Sequence, residues 1–291
     1  FEAYHQVILA SIGNNNINDT VYYLNQSKNI ATQLVKNEEG VATVISMVSF
    51  QLPFLINAGL YAEVEDLLNF INDFLEFDTS IAIGRFQEDT FNYSLGRLNL
   101  VKKDYTKAIY HFELASLNYL EKPGPGIYTM YSALANLLLL EAYMGNKDLV
   151  RFEKHFKLLT GVKPINYKSL DVSNDLVGTK IAKHHYIPSE IDISILATLL
   201  KYLDEKKISI SKKDSEEFFN YINEYFKDYS PGEESRLEMI RNSVKASSLM
   251  ASIDLKRSTK FLSKLINEVK NEYTSELYDS NLSPVHKIDD I

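Results

Sequence analysis

The chain has 291 residues, of which 45% are hydrophobic, so it is long enough to bury one or two cores. It contains only 11 glycines and 7 prolines, which argues against an all-β sandwich and against long disordered segments, because both depend on those residues. The net charge of -8 disfavours direct binding to nucleic acid, and the absence of cysteine excludes disulfides, zinc-thiolate sites and a cysteine nucleophile.

The location of the protein is inferred only from composition. Because no cysteine is present, a reducing compartment fits, and we expect the protein to be cytoplasmic. The first residue is Phe1 rather than methionine, so we expect a processed or truncated N-terminus. The longest dense apolar run, 133–144, is shorter than the roughly 20 apolar residues that cross a bilayer, and we therefore predict no membrane span.

Apolar residues recur at spacings of three and four along most of the chain, which is typical of amphipathic helices. Asp19 is interpreted as the N-cap of one helix, and residues 37–40 as its end. The predicted helices are 1–12, 19–36, 41–57, 61–77, 81–101, 105–120, 127–143, 147–159, 189–203, 213–225, 233–253 and 255–273. No segment shows convincing strand alternation, so the predicted fold class is all-α.

Tight turns separate the helices of each predicted pair. They lie at 58–61, 102–105 and 144–147, so Gly59 and Lys103 are 44 residues apart and Lys103 and Gly145 are 42 residues apart. A nearly regular period of this kind indicates repeated helical hairpins. Between the pairs, the segment 122–126, Lys-Pro-Gly-Pro-Gly, is unable to continue a helix.

One hairpin resembles the tetratricopeptide repeat (TPR) in detail. The matching residues are Leu95, Gly96, Lys103, Asp104, Tyr105, Ala108, Phe112 and Ala115. In this interpretation Gly96 and Ala108 let two helices approach, while Tyr105 and Phe112 fill the space beside them. The neighbouring hairpins around Gly59 and Gly145 match less completely, and the period exceeds that of the usual repeat.

The resemblance implies an α-solenoid, a superhelix of stacked antiparallel hairpins. We divide the chain into TPR-like hairpins over 1–160, an irregular junction over 161–188, further helical hairpins over 189–277 and a flexible tail over 278–291. In the TPR family the first helix of each pair lines a concave groove. Carried onto this chain, the groove positions are Ser49, Asn57, Thr90, Tyr93, Arg97, Leu100, Ser132, Ala135 and Tyr143.

The sequence lacks recognisable catalytic or metal-binding motifs. His184 and His185 are adjacent, so in a helix they would project about 100° apart and would not readily share a metal. Neither a glycine-rich phosphate loop nor a Gly-x-Ser-x-Gly elbow occurs, and we interpret Glu65, Asp66, Glu88 and Asp89 as solvent-facing. We therefore expect neither an enzyme nor a cofactor, and no bound metal.

Three functions remain open from the sequence. The first is a scaffold or adaptor that binds a protein or peptide segment in the concave groove. The second is a peptide-responsive sensor region of a larger bacterial regulator, which the resemblance to TPR-type regulators suggests. The third is an enzyme on a helical scaffold, which no motif favours. The acidic region 61–91 is interpreted as a solvated face, with docking of a basic partner as the alternative.

Overall fold

A computed structural model describes most of the first 211 residues and parts of the remainder. The described residues are 2–14, 16–36, 38–75, 85–121, 130–169, 190–211, 213–214, 216–217, 220, 251, 254–264 and 266–267. The chain divides into two compact units, Phe1–Ile210 and Ser211–Ile291. Several predicted features lie outside the described residues. They are the end of the predicted junction at residue 188, the predicted tail, His184 and His185.

The described part of the chain is helical and contains no strand, which confirms the all-α prediction there. Its α-helices are α1 (Glu2–Gly13), α2 (Ile17–Leu34), α3 (Glu38–Asn57), α4 (Tyr61–Leu75), α5 (Arg85–Val101), α6 (Tyr105–Glu121), α7 (Met130–Gly145), α8 (Leu149–Thr160) and α9 (Glu190–Glu205). A 3-10 helix, Pro164–Ser169, follows α8 within the predicted junction.

Two predicted helix ends were wrong. The N-cap of α2 is Asn16 rather than Asp19, because the Asn16 side chain accepts a hydrogen bond from the backbone N–H of Asp19 at 3.2 Å. Asp19 lies in the first turn, where its charge favours the helix dipole. Gly40 lies inside α3 rather than in a break.

The same turn closes four helices, α3, α5, α7 and α9. In each turn one residue has a positive φ: Gly59 (79°), Lys103 (60°), Lys147 (58°) and Lys207 (55°). The following N–H donates to a carbonyl five residues back, as from Leu60 to Leu55 at 2.9 Å, which is the Schellman arrangement. Asp104 and Asp148 follow two of these turns and cap α6 and α8.

The first unit is organised as helix pairs. The helices of each pair, α1–α2, α3–α4, α5–α6 and α7–α8, contact one another. Each odd-numbered helix also contacts the next odd-numbered one, from α1 through α9, and α7 additionally packs against α6. Helices that are close in sequence are therefore also neighbours in the fold, which is the usual order in compact domains.

Close packing at glycine joins successive helices. A Cβ atom on Gly96 of α5 would lie 2.5 Å from the Phe112 ring of α6, so only glycine fits the observed spacing. Ala108 and Phe112 are fully buried. Gly145, the last residue of α7, lies directly against the Tyr105 ring of α6. The packing roles predicted for Gly96 and Phe112 are confirmed.

The apolar core of the first helices is continuous. Buried residues of α1 to α5 form one cluster that includes Ile8, Leu24, Leu52, Val64 and Leu98. The segment Glu39–Ile56 of α3 has the length and mean hydropathy (1.5) of a membrane span, and 56% of it is buried. A core helix satisfies the same criterion of length and composition, so the absence of a membrane span stays a prediction.

The second unit is described only in short stretches. The Ser211 hydroxyl accepts a hydrogen bond from the N–H of Asp214 at 3.2 Å, as the side chain of an N-cap residue does. Residues 255–264 are helical, and Asp254 caps them by accepting from the N–H of Arg257 at 3.1 Å. Both stretches fall within predicted helices.

Candidate functional site

Several predicted groove residues lie in the protein interior. Ser49 and Thr90 are fully buried, and Ser132 and Ala135 are also buried. The Ser49 hydroxyl donates to the carbonyl of Ile45 at 2.6 Å, one turn earlier in α3. A partner is unable to contact these side chains without displacing their neighbours. Asn57 is the last residue of α3, and its side chain is not among those described.

The structure brings Tyr93 and Arg97 together on α5. The Arg97 guanidinium donates to the Tyr93 hydroxyl at 3.3 Å and lies 5.7 Å from the centre of the ring. The Tyr93 ring packs against Phe112 of α6 and Tyr131 of α7, with centroid distances of 6.5 and 5.2 Å. Tyr93 is buried, while Arg97 is partly exposed, so only Arg97 of this pair offers substantial surface to a partner.

Tyr143 lies in a separate cluster between α6, α7 and α8. Its hydroxyl donates to the Glu113 carboxylate at 2.9 Å, and Arg151 contacts the same oxygen at 3.3 Å. Burial, followed by the hydrogen bond to Glu113, raises the pKa of Tyr143 far above its usual range. Tyr143 therefore stays protonated and joins helices here.

His155 lies beside Tyr143 in the same cluster and is buried. Its Nε2 atom is 2.7 Å from the backbone carbonyl of Asn136, so Nε2 carries the proton and donates it. The two rings meet edge to face at a centroid distance of 5.9 Å. This cluster holds α7 against α8.

The accessible aromatic surface of α3 was missed by the sequence analysis. Phe50 and Phe54 are 45% and 44% exposed, although the helix is largely buried. They are four residues apart and so project from the same side of α3, whereas Ser49 points into the interior. The Phe-x-x-x-Phe pair in the sequence could have indicated this surface, but the match to the TPR consensus selected Ser49 instead of Phe50.

Other odd-numbered helices also carry accessible apolar or cationic side chains. Val7 of α1 is 39% exposed, and Arg97 and Leu100 of α5 are partly exposed. We call Val7, Phe50, Phe54, Arg97 and Leu100 the odd-helix face. These side chains supply apolar contact area and one positive charge, which is suited to binding rather than to acid or base chemistry.

Of the four acidic residues predicted to face solvent, Glu65, Asp66 and Glu88 are exposed, whereas Asp89 is not. Asp89 is buried, and its interpretation as a solvent-facing residue was wrong. Glu65 and Asp66 are exposed, but they form ion pairs with Lys102 (2.7 Å) and Lys28. Among the described residues, no group of three or more histidines or carboxylates is arranged to hold a metal ion.

Comparison of the chain with models of protein families, with curated proteins and with solved structures gives no match.

Proposed function

We propose that this chain is a divergent TPR-like solenoid that binds a peptide or an extended protein segment on its odd-helix face. The observation that carries the proposal is the contact of each odd-numbered helix with the next, from α1 to α9. In a stack of hairpins, such a row of first helices provides a continuous binding surface.

The repeated turns support a solenoid. Gly59, Lys103 and Lys147 occupy equivalent positions in successive turns and are each 44 residues apart. The corresponding hydrogen bonds recur, since Leu60, Asp104 and Asp148 all donate to the carbonyl five residues earlier. Such regular spacing is typical of a repeat protein. Contact of Gly145 with Tyr105 joins one pair to the next.

The position of the exposed phenylalanines supports the choice of face. α3 contacts α1 and α5 in the odd-numbered row and contacts α2 and α4 in the other row. Phe50 and Phe54 are exposed, and the Phe50 ring lies 6.4 Å from the His5 ring of α1, so this surface of α3 borders the preceding odd-numbered helix. Large aromatic side chains at such a position supply binding energy at low entropic cost.

A peptide-display selection on the whole chain tests this function. A random peptide library would be selected against the protein, and affinities of the recovered peptides measured by fluorescence anisotropy. We expect the double substitution Phe50→Ser and Phe54→Ser to weaken binding about tenfold or more, since aromatic anchors dominate such interfaces.

The matched control changes aromatic residues of equal or greater exposure on even-numbered helices. Tyr22→Ser and Tyr110→Ser, at residues 57% and 59% exposed, should leave affinity within about twofold. Recovery of no binding peptide, or equal losses in the two double variants, would contradict the assignment. Circular dichroism of each variant would verify that the helices are retained.

A further inference from the structure

One segment of this acidic chain is strongly cationic. Residues 147–168, which include α8 and the 3-10 helix, contain six basic and two acidic residues, in a chain of net charge -8. All six basic side chains are exposed: Lys147, Arg151, Lys154, Lys157, Lys163 and Lys168. The surface of this segment therefore differs in sign from the protein as a whole.

α8 presents apolar side chains among these cations. Val150 is 79% exposed and Leu158 is 45% exposed, and helical spacing places both on one side with Lys154 between them. Phe152 and Phe156 are fully buried on the opposite side, with ring centroids 5.6 Å apart, which fixes the orientation of the helix. We call Val150, Arg151, Lys154, Lys157 and Leu158 the α8 face.

The two acidic residues of the segment are both neutralised by neighbours. Asp148 accepts from the Arg151 Nε atom at 2.5 Å. Glu153 accepts from the Tyr202 hydroxyl at 2.7 Å and pairs with Lys206 at 3.1 Å. The hydrogen bond from Tyr202 lowers the pKa of the Glu153 carboxyl, and the ion pair with Lys206 lowers it further, although partial burial opposes the shift. Arg151 also pairs with Glu113 of α6 at 3.3 Å, so the positive charge that the α8 face offers to a partner is that of Lys154 and Lys157.

We propose that the α8 face docks an acidic amphipathic segment of another protein. Val150 and Leu158 lie eight residues apart, about 12 Å along the helix, a spacing that suits two apolar anchors of a partner. Lys154 and Lys157 stand beside these anchors and pair with carboxylates flanking them. Opposite charges at such an interface speed association and exclude competing partners.

The side chains of this face favour a protein over the other anionic partners. Single-stranded nucleic acid is bound by basic residues together with aromatic platforms, but the aromatic residues described within 147–168, Phe152, His155, Phe156 and Tyr167, are buried. The net charge of -8 disfavours a duplex. Membrane surfaces require a larger apolar face than Val150 and Leu158 provide. Two separated anchors bordered by lysines match a protein segment better.

Binding to a synthetic acidic helix tests the proposal. The probe is a fluorescent peptide with two leucines at the same eight-residue interval, each flanked by glutamates. Its control peptide has serine in place of both leucines. Binding of each peptide to the full chain is measured by fluorescence anisotropy. We expect the leucine peptide to bind about tenfold more tightly than the serine peptide. Both affinities should fall with added salt.

Charge reversals on the protein identify the binding surface. Lys154→Glu with Lys157→Glu should weaken the leucine peptide about tenfold or more, because two favourable charge pairs become repulsive. Lys36→Glu with Lys107→Glu changes the net charge equally at exposed positions outside α8 and should leave affinity within about twofold. Circular dichroism verifies that both variants fold.

Four outcomes would overturn the proposal. These are equal binding of the leucine and serine peptides, absence of binding by the leucine peptide, equal loss in the two charge-reversed variants, and tighter Lys154-dependent binding to a DNA duplex or to phosphatidylserine vesicles than to the peptide. The test is independent of the odd-helix face, since Phe50→Ser and Phe54→Ser should leave this affinity unchanged.

Discussion

Small residues set how closely the helices approach. The sequence already indicated that Gly96 and Ala108 allow close packing beside Phe112, and the structure places Gly96 against the Phe112 ring and buries Ala108. Interiors are packed densely, so one added methyl group at such a site forces side chains or backbone to move.

Replacing Gly96 with alanine should destabilise the protein by about 1–3 kcal/mol, because the new Cβ atom would lie 2.5 Å from the Phe112 ring. Gly13→Ala is the matched control, since nothing lies within 4 Å of a Cβ atom there. Alanine at this helical position should be neutral or stabilising by up to about 1 kcal/mol. Urea unfolding followed by circular dichroism would measure both changes.

The buried His155 makes stability depend on pH. Burial lowers its pKa below the usual 6.5, although the hydrogen bond to Asn136 opposes the shift. The unfolded chain therefore binds a proton at a higher pH than the folded protein does. Stability from this residue is complete above about 6.5 and is lost as pH falls from that value through the folded pKa.

His155→Gln removes this titration, so we expect the variant to lose less stability than the wild type between about pH 7 and pH 5. Urea denaturation across this range would measure the two slopes. The variant should be less stable at neutral pH, because the buried contact to Asn136 is altered. Parallel pH profiles for the two proteins would show that His155 does not titrate as proposed.

At the scale of one element, the turns that end successive helices are more alike in backbone conformation than their residue types indicate. The turn equivalent to those at Gly59 and Lys103 is at Lys147, not at Gly145 as the sequence comparison suggested. The backbone conformation shows that these turns are equivalent, because Gly59, Lys103 and Lys147 all lie in the left-handed region. Sequence alone favours the glycine, since glycine is the usual residue at this position.

Lys147→Gly should stabilise the protein by about 0.5–1 kcal/mol, because a left-handed conformation costs a lysine roughly 1–2 kcal/mol, partly offset by the unfolded-state freedom of glycine. Its φ of 58° motivates the choice. The adjacent Asn146→Gly should instead destabilise, because Asn146 has no positive φ to relieve. Thermal and urea unfolding of both variants would distinguish these signs.

At the scale of the molecule, the apolar core that the described residues form lies in the first compact unit. The apolar core residues described lie before Ile210, the boundary of that unit, and include side chains of α1 to α9. This boundary falls outside the predicted junction, 161–188, because α9 contacts α7 and the 3-10 helix, and so belongs with the preceding helices. Contacts distant in sequence decide such a boundary.

A fragment comprising residues 1–210 should fold alone and unfold cooperatively, since a domain with its own core carries its own stability. Circular dichroism should show a helical spectrum with a sigmoidal urea transition. The matched fragment 1–160 lacks α9, so Tyr202 no longer stacks on Phe152, and it should unfold at lower urea. A 1–210 fragment without a cooperative transition would contradict the assignment of this unit.

The sequence by itself determined the helical class, the order of the pairs and most helix limits, because apolar periodicity, caps and turn residues act over a few neighbouring positions. It also indicated the contact between Gly96 and Phe112. Only the tertiary structure decided which face of each helix is accessible. Ser49 is buried while Phe50 is exposed, since a shift of one residue turns a side chain by about 100° and the choice depends on distant helices. The positive charge of the α8 segment likewise depends on Tyr202 of α9 and Lys206, just after α9, contacting Glu153.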